Sequence, residues 1–384
     1  MLECKSRAWM EIDTTKIAHN VEEIRKLIPK KTKIMAIVKA NAYGHGDVVI
    51  SKELIKCGVD FFGVSSVDEA ISLREAGITC DILILGYTPP MHFHYVLKHN
   101  LIQTFFSLEY AQKAAAFAQS QQTMMRGHVK IDTGMSRLGV ICQDHEYHID
   151  DVLRIYTMAG LQVEGIFSHF SVSDDLSKKN ELYTKHQIIL FDRVLADVKK
   201  AGIHPGVTHL QNSYGILNYP ELAYDYVRPG LLFLGVTSND ALEIRTNPSF
   251  LPIMQLKANV SLVKTIQPNV SVSYGRNYCS KEVRKIATVS IGYADGYPRA
   301  VSNIGAEVLI HGQRATIIGN ICMDQLMIDV THIDQVKEGD VVTLIGEDQG
   351  AFLAVDELTR WAKTINNDTL CFFKGRVPRI YKSE

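Results

Sequence analysis

Polar residues whose types can support chemistry stand where short apolar runs of the 384-residue chain end. In the stretch "AIVKANAYGHG", residues 36–46, the apolar run ends at Lys39, and a tyrosine and two glycines follow. A lysine amine that has lost its proton is a nucleophile and can form a Schiff base with a carbonyl group. Later apolar runs contain, or end with, further residues of this kind: Lys130, His169, Asn212, Ser213 and Arg228. They form a site only if the fold brings them together.

The composition excludes some classes of function. Apolar residues make up 46% and charged residues 22% of the chain, as in globular proteins. The formal net charge of −1 argues against nucleic acid or an anionic membrane as the main partner. No apolar run is long enough to cross a bilayer, and "MLECKSRAWMEID" lacks the apolar segment of a signal peptide. The seven cysteines are scattered without a CxxC pair, which favours a reduced, cytoplasmic protein.

The first half of the chain, from residue 33 to about residue 234, alternates between apolar runs and amphipathic stretches. The runs are "KIMAIVKA", "DFFGVSS", "DILILGY", "IQTFFS", "HVKID", "VEGIFSHF", "VTHLQNS" and "VRPGLLFLG". This alternation predicts a parallel sheet, and eight units predict a closed (β/α)8 barrel of the TIM type. A doubly wound open sheet is the competing interpretation, although no GxGxxG motif follows the first strand.

After about residue 245 the pattern changes to strand-like segments separated by Gly, Asn and Asp turns. The segments are "ANVSLVKTI", "KIATVSIGYA", "AEVLIHG", "RATIIGNICMD", "LMIDVT" and "DVVTLIG", with a helical pattern in "AVDELTRWAKTI" near the end. We therefore predict an α/β protein in which a (β/α)8 barrel at residues 10–240 is followed by a mostly β domain. That domain is expected to comprise residues 241–384 together with residues 1–9.

A (β/α)8 barrel carries its chemistry at the carboxyl ends of its strands, so the polar residues above should meet at one mouth. The loops after the seventh and eighth strands often bind phosphate. Here they offer Ser213 and the backbone N–H groups of Gly230 and Leu231, and Asn212 and Gly230 suit a close approach to an anion. Each residue alone also has an ordinary explanation, such as a solvated lysine or a buried histidine. A lysine beside a phosphate site suggests pyridoxal phosphate as the cofactor.

The motifs have a close likeness in one family. "VKANAYGHG" resembles the pyridoxal-phosphate attachment segment of alanine racemases. Further motifs of that family occur in the same order: "KIDTGMSRLG", "EGIFSHF", "NSYG", "VRPGLLFLG", "VSYGRNY", "IGYADGYPR", "GNICMDQ" and "RVPRIY". The resemblance reaches residue 381. It implies a homodimer of barrel-plus-β subunits with shared active sites that interconverts L- and D-alanine and supplies D-alanine for peptidoglycan.

The resemblance also implies roles for single residues. Lys39 matches the lysine that binds the cofactor covalently and acts as one catalytic base, and Tyr274 matches the second base, supplied by the partner subunit. Arg228 matches the arginine that faces the pyridine nitrogen, and His169 the histidine beneath the ring. The other matched positions are Tyr43, Asn212, Ser213, Gly230 and Leu231 for the cofactor, Arg137 and Met323 for the substrate, Lys130 as a lysine that is often carbamylated, and Asp174, Tyr293 and Arg299 at the entrance.

Departures from the family pattern leave the substrate range open. Asn320 stands where the entrance often carries an arginine, and Asn367 in "INND" stands where a tyrosine is common. Lys374 and Gly375 occupy positions where some members have a tyrosine. Because these residues border the substrate path, racemisation of serine or of a broader range of amino acids is an alternative to strict alanine specificity. Sequence drift at non-catalytic positions is the simpler explanation of the departures.

Three other functions compete with the racemase interpretation. A single-barrel pyridoxal-phosphate-binding protein would lack the β domain and Tyr274. A barrel-plus-β amino-acid decarboxylase would carry a glycine-rich phosphate motif and an acidic residue at the ring nitrogen, which are absent. A metal-dependent hydrolase is suggested only by "MHFHYVLKH" at residues 91–99, and no carboxylate cluster completes such a site.

Overall fold

Each apolar run of the first half contains or overlaps a strand in the computed structural model, which describes residues 6–383. The first ten strands are β1 (Ala8–Asp13), β2 (Lys33–Ile37), β3 (Phe61–Val64), β4 (Asp81–Ile84), β5 (Ile102–Phe105), β6 (Met125–Asp132), β7 (Val140–Ile141), β8 (Leu161–Phe167), β9 (Val207–His209) and β10 (Tyr226–Val227). The helices between them are α1 (Ile17–Leu27), α2 (Lys39–Tyr43), α3 (Asp47–Lys56), α4 (Val67–Glu75), α5 (Phe93–Lys98), α6 (Leu108–Ser120), α7 (Ile149–Tyr156), α8 (Lys178–Lys200) and α9 (Ser213–Asn218).

Eight parallel strands close into a barrel, in the order β2, β3, β4, β5, β6, β8, β9 and β10. The last strand pairs with the first, with Tyr226 opposite Lys33, and this pairing completes the ring. The strands are buried on both faces because side chains fill the interior and helices cover the outside. Helix α8, for example, buries Leu190, Val194 and Val198 at helical spacing. The predicted closed barrel is confirmed, and the open doubly wound sheet is excluded.

The second half forms a mostly antiparallel sheet, as predicted. Its strands are β11 (Met254–Ile266), β14 (Arg284–Val289), β15 (Glu307–Ile310), β16 (Gln313–Ile318), β17 (Leu326–Asp329), β18 (Val341–Asp348), β19 (Ala351–Leu353) and β20 (Arg379–Lys382). Two short strands between β11 and β14, namely β12 (Ser271–Val272) and β13 (Tyr278–Cys279), pair with each other in a separate two-stranded sheet. Its helices are α10 (Val355–Ala362) and α11 (Asn366–Phe372). None of the helices within residues 6–383 is long and apolar enough to span a bilayer.

The strand β1 joins this second sheet although it precedes the barrel in the chain. It pairs antiparallel with β11 and parallel with β20. The part of the amino-terminal segment that belongs to the second sheet therefore extends to Asp13, whereas the sequence predicted that only residues 1–9 join the β domain. Residues 1–5 and 384, which the predicted β domain includes, lie outside the described residues. The boundary between the domains stays a prediction.

A left-handed turn follows the first barrel strand. Ala40, Asn41, Ala42 and Tyr43 have φ values of 53°, 56°, 49° and 51°, so the short helix α2 winds with the opposite hand to an ordinary helix. None of the four is glycine, and the left-handed conformation costs about 1–2 kcal/mol for each such residue. Backbone hydrogen bonds within the turn, such as Gly44 N–H to the Ala40 carbonyl at 3.0 Å, offset only part of this cost.

The β domain holds the turn from outside through β20. Arg379 Nε donates to the Gly44 carbonyl at 2.6 Å, and the Tyr381 hydroxyl donates to the His45 carbonyl at 2.9 Å. A Cβ at Gly46, whose φ is 101°, would lie 1.9 Å from the Tyr381 hydroxyl oxygen. Glycine at this position is therefore required by the close approach of the second domain as well as by the backbone angle.

We expect Gly46→Ala to destabilise the protein by about 1–3 kcal/mol more than Gly77→Ala, the range typical of overpacking. Gly77 is a matched control because its φ is 84° and an added Cβ would meet no atom within 4 Å. The measurement is chemical denaturation of both variants. Adding Tyr381→Phe should restore part of the loss in Gly46→Ala, and equal losses for the two glycine variants would contradict the crowding.

Candidate active site

A cavity of about 380 Å³ opens at the carboxyl ends of the barrel strands. The predicted site residues that line it are Lys39, Tyr43, Lys130, Arg137, His169, Asn212, Ser213, Arg228 and Gly230. Leu231, the neighbour of Gly230, is buried behind the lining. The closure of the barrel thus brings together residues that are far apart in the sequence.

Lys39 lies two residues after the end of the buried strand β2, and the left-handed turn starts there. Burial lowers the pKa of its amine, and the nearby positive charge of Arg137 lowers it further. The carboxylate of Glu69 acts in the opposite direction. A lowered pKa increases the fraction of neutral amine near pH 7, which is the form that attacks a carbonyl or accepts a proton.

One end of the cavity is suited to a phosphate group. The Gly230 N–H points at the Ser213 hydroxyl, 3.2 Å away, and a Cβ at Gly230 would lie 2.4 Å from the Tyr43 hydroxyl oxygen. Burial raises the pKa of Tyr43, so this hydroxyl keeps its proton and can donate it in a hydrogen bond. Asn212, which also lines the cavity, caps α9, because its Oδ1 accepts from the Gly215 N–H at 2.8 Å.

Arg228 lies on the wall of the cavity and is only 3% exposed. Its two terminal nitrogens donate to the carbonyls of Ser168 and Leu210, to His209 Nδ1 at 2.9 Å and to His169 Nδ1 at 3.1 Å. Burial, followed by the charge of Arg137, lowers the pKa of Arg228 to about 9, which still leaves the guanidinium charged at neutral pH. Within residues 6–383 no hydrogen-bond acceptor is found for its Nε–H, which is therefore available to a bound molecule.

A buried pair of histidines stands behind Arg228. Because a guanidinium can only donate, His209 must accept at Nδ1 and carry its proton on Nε2. That proton can then be donated to His128 Nδ1, 2.9 Å away. Burial is the main cause that lowers the pKa values of both rings, that of His128 to about 3, so both are neutral. The sequence analysis missed this pair, although both histidines lie inside predicted apolar strands, where a polar side chain calls for an explanation.

Lys130 and Arg137 form a second cationic group at the cavity. Lys130 is buried, and burial followed by the charge of Arg137 lowers its pKa to about 8. Arg137 lies on the loop after β6, which is held by Asp132 Oδ1 through the backbone N–H groups of Gly134 and Ser136 at 2.9 and 3.0 Å. No described carboxylate pairs with the Arg137 guanidinium, which leaves it free to bind an anionic group.

The remaining predicted residues do not line this cavity. Tyr274 is 71% exposed on the β domain, where Asn320 Nδ2 donates to its backbone carbonyl at 2.7 Å. Met323 lies in the same surface groove as Tyr274. Tyr293 and Arg299 are exposed, and Asp174 is half-buried. One chain on its own therefore does not bring the predicted second base to the cavity that Lys39 lines.

Two further expectations can be placed on the structure. Asn367 lines the cavity, and its buried Oδ1 has no hydrogen-bond partner among the described residues. The histidines of "MHFHYVLKH" lie in and beside α5, and His94 Nδ1 contacts the Met91 carbonyl at 2.9 Å. The part of the chain that the structure describes contains no group of three or more His, Cys, Asp or Glu side chains arranged to hold a metal ion.

Comparisons with known proteins agree with the resemblance noted in the sequence. Residues 12–238 match the alanine racemase N-terminal domain, and residues 253–381 match the alanine racemase C-terminal domain. The alanine racemase of Clostridium perfringens (strain ATCC 13124) is 42% identical over 382 residues, which cover 99% of this chain and 96% of that protein.

Solved structures give the same result. The alanine racemase of Clostridium difficile 630 is 34% identical with a TM-score of 0.91, and the match covers 99% of this chain and 97% of that one. The alanine racemase of Bartonella henselae, described with covalently bound pyridoxal phosphate, is 28% identical with a TM-score of 0.84 over 98% of this chain and 100% of that one. A chain that matches both domains in sequence and in fold over nearly its whole length is a member of the alanine racemase family of isomerases.

Proposed function

We propose that this chain uses pyridoxal phosphate to interconvert L- and D-alanine by a two-base mechanism. The observation that carries the proposal is the meeting of Lys39, the Tyr43–Ser213–Gly230 group and Arg228 around one cavity. The Bartonella henselae relative holds the same cofactor covalently. The scattered cysteines support a cytoplasmic location, and a supply of D-alanine for peptidoglycan is the role that the family resemblance suggests.

The lining residues fit this cofactor. Lys39 would bind its aldehyde carbon, and Tyr43, Ser213 and the N–H groups of Gly230 and Leu231 would hold its phosphate. A Cβ at Gly230 would crowd the Tyr43 hydroxyl, so glycine at this position leaves room for an anion to approach the backbone closely. His169, half-buried at the end of β8, would lie against the ring. The bound cofactor would acidify the α-carbon of an amino acid by withdrawing electrons from it.

Arg228 would set the protonation state of the pyridine nitrogen. Its Nε–H has no described partner, and a guanidinium donates hydrogen bonds without giving up its proton. The ring nitrogen would therefore accept a hydrogen bond and stay unprotonated. Many enzymes with this cofactor place a carboxylate there, which keeps the nitrogen protonated and the ring strongly electron-withdrawing. Arg228 thus favours rapid return of the proton to the α-carbon over side reactions such as transamination.

Racemisation needs a proton removed on one face of the α-carbon and one delivered on the other. Lys39 would act on one face and Tyr274 of a second subunit on the other. Tyr274 is exposed and does not line the cavity of its own chain, so a homodimer with shared sites explains both facts. Arg137 would bind the substrate carboxylate. The partner subunit would supply Met323 beside the substrate, and Asp174, Tyr293 and Arg299 would border the entrance.

Subunit complementation tests the shared site. Lys39→Ala and Tyr274→Phe should each lower racemase activity by at least about 10²- to 10⁴-fold as homodimers, the usual contribution of an acid–base group. In a mixed dimer one site carries both substitutions and the other carries neither. Activity should therefore return toward half the wild-type value for each heterodimer, measured by coupled assay after subunit exchange.

Native mass spectrometry of the same mixture is the control, because it shows whether heterodimers have formed. Heterodimers without activity would mean that Tyr274 serves its own subunit or is not the second base. Borohydride reduction followed by peptide mapping should place the cofactor on Lys39 in the wild type, and a label on another lysine would contradict the assigned site.

We expect Lys130 to carry a carbamate. The reaction joins the neutral amine to CO₂, forms an N–C bond and releases one proton, and the resulting anion can pair with Arg137. Because only the neutral amine reacts, and the pKa of Lys130 is lowered to about 8, a carbamate signal should grow as the pH rises through that value. The measurement is ¹³C NMR with labelled bicarbonate. A signal that persists in Lys130→Ala would show that another amine is modified.

Asn367 is the residue that would favour serine as a second substrate. Its buried Oδ1 lacks a partner and borders the cavity, so it could accept a hydrogen bond from a substrate hydroxyl. We expect Asn367→Leu, which keeps the shape and removes the acceptor, to lower the ratio of kcat/KM for serine to that for alanine by about 2- to 10-fold. Alanine in the same variant is the internal control. An unchanged ratio would mean that Asn367 does not recognise a hydroxyl.

A further inference from the structure

The carboxylate of Glu69 joins the ends of two neighbouring barrel strands at the cavity. Its Oε1 accepts from the Ala40 N–H at 2.7 Å, next to Lys39 at the end of β2. Its Oε2 accepts from the N–H of Ser65 at 2.7 Å and from the Ser65 hydroxyl at 3.0 Å, directly after β3. Ser65 also lines the cavity. Both carboxylate oxygens are thus used at the mouth of the barrel.

Local structure fixes the position of Glu69 but does not explain these contacts. Glu69 lies in the first turn of α4, and the Ser66 hydroxyl accepts from its N–H at the start of the helix. In a capping box the glutamate at this position would reach back to the N–H of the capping residue itself, here Ser66. Its carboxylate goes instead to Ser65 and to Ala40, which is 29 residues away in the chain.

The contact with Ala40 fixes the residue at which the chain changes hand. Ala40 is the first of the four left-handed residues, and its N–H belongs to the peptide that links it to Lys39. Holding that peptide fixes the direction in which the Lys39 side chain leaves the backbone. Hydrogen bonds to a charged acceptor are stronger than those between neutral groups, which suits a conformation that is unfavourable in isolation.

We propose that Glu69 is a positioning residue for Lys39, which directs the amine into the cavity through the Ala40 peptide and adds a negative charge beside it. The charge supports the proposal independently, because Glu69 opposes the lowering of the Lys39 pKa by burial and by Arg137. The geometric and electrostatic parts can be separated. Glu69→Gln removes the charge and keeps one acceptor for Ala40, whereas Glu69→Ala removes both.

Competitive acetylation of the full chain freed of pyridoxal phosphate measures the Lys39 amine itself. Mass spectrometry would compare the labelling of Lys39 with that of Lys98, at the end of α5, in the same sample. In Glu69→Gln we expect the ratio at pH 7 to rise about threefold, because the loss of the charge lowers the pKa of Lys39. Because Lys98 is already exposed and Lys39 is partly buried, the rise counts as an effect of the charge only if Glu69→Gln unfolds at the same denaturant concentration as the wild type. Asp68→Asn, an exposed carboxylate in the same helical turn, is the matched control and should leave the ratio unchanged.

Binding of pyridoxal phosphate, followed by absorbance, gives the geometric readout. The dissociation constant should rise in Glu69→Ala by about 10- to 100-fold, the range for losing hydrogen bonds to a charged group, and by less in Glu69→Gln. The proposal is overturned if Glu69→Gln matches Asp68→Asn in both labelling and binding, and this variant decides the matter even if Glu69→Ala fails to fold. The proposal rests on the role assigned to Lys39. Peptide mapping of the wild type tests that role separately, whereas acetylation reports on the amine whether or not the cofactor binds there.

Discussion

The left-handed turn after Lys39 is the constraint on which the site depends. Four consecutive non-glycine residues adopt a backbone conformation that is unfavourable in isolation, so contacts from elsewhere must hold it. Glu69 binds it from the barrel, and Arg379 binds it from the β domain. Because the turn is tight, the side chains of Lys39 and Tyr43, four residues apart, line the same cavity. Strain of this kind persists only where the surrounding structure over-determines it.

Positive charge is the second feature of the site. Lys39, Lys130, Arg137 and Arg228 all line one cavity. Their mutual repulsion contributes to the lowered pKa values of the two lysines, and burial contributes more. Such a cavity attracts anionic groups, and the phosphate of the proposed cofactor and the carboxylate of the proposed substrate would both relieve the repulsion. The cations would therefore serve binding, and by lowering the pKa of Lys39 they raise the fraction of its amine that is neutral near pH 7.

The sequence predicted those parts of the fold that local patterns determine. The barrel strands are continuous apolar runs, and the carboxyl-end rule then places Lys39, His169 and Arg228 at one mouth. Strands such as β1 and β20 were missed because their partners lie more than 200 residues away in the chain. Periodicity carries no information about such pairings.

The site shows the same division between local and long-range information. Lys39 is recognisable because the carboxyl-end rule places it at one barrel mouth with other polar residues and a phosphate-like site. Glu69 cannot be recognised in this way, because a glutamate in the first turn of a helix is ordinary. Its contact with Ala40 exists only once β2 and β3 lie side by side. His209 became informative only beside Arg228. The role of Tyr274 came from family resemblance, since no pattern within one chain relates it to Lys39.

The attachment of β20 to the turn has a consequence for the order in which the protein matures. The contact of Arg379 with Gly44 joins residues that are 335 positions apart, and the closure of so long a loop makes such contacts slow to form. Synthesis proceeds from the amino end, so the barrel residues leave the ribosome well before β20. In a nascent barrel that lacks β20, the turn after Lys39 would be held by Glu69 but not by Arg379. If Lys39 has the proposed role, its amine would be fully directed only after the β domain has docked, and immature chains would not bind aldehydes in a fixed geometry.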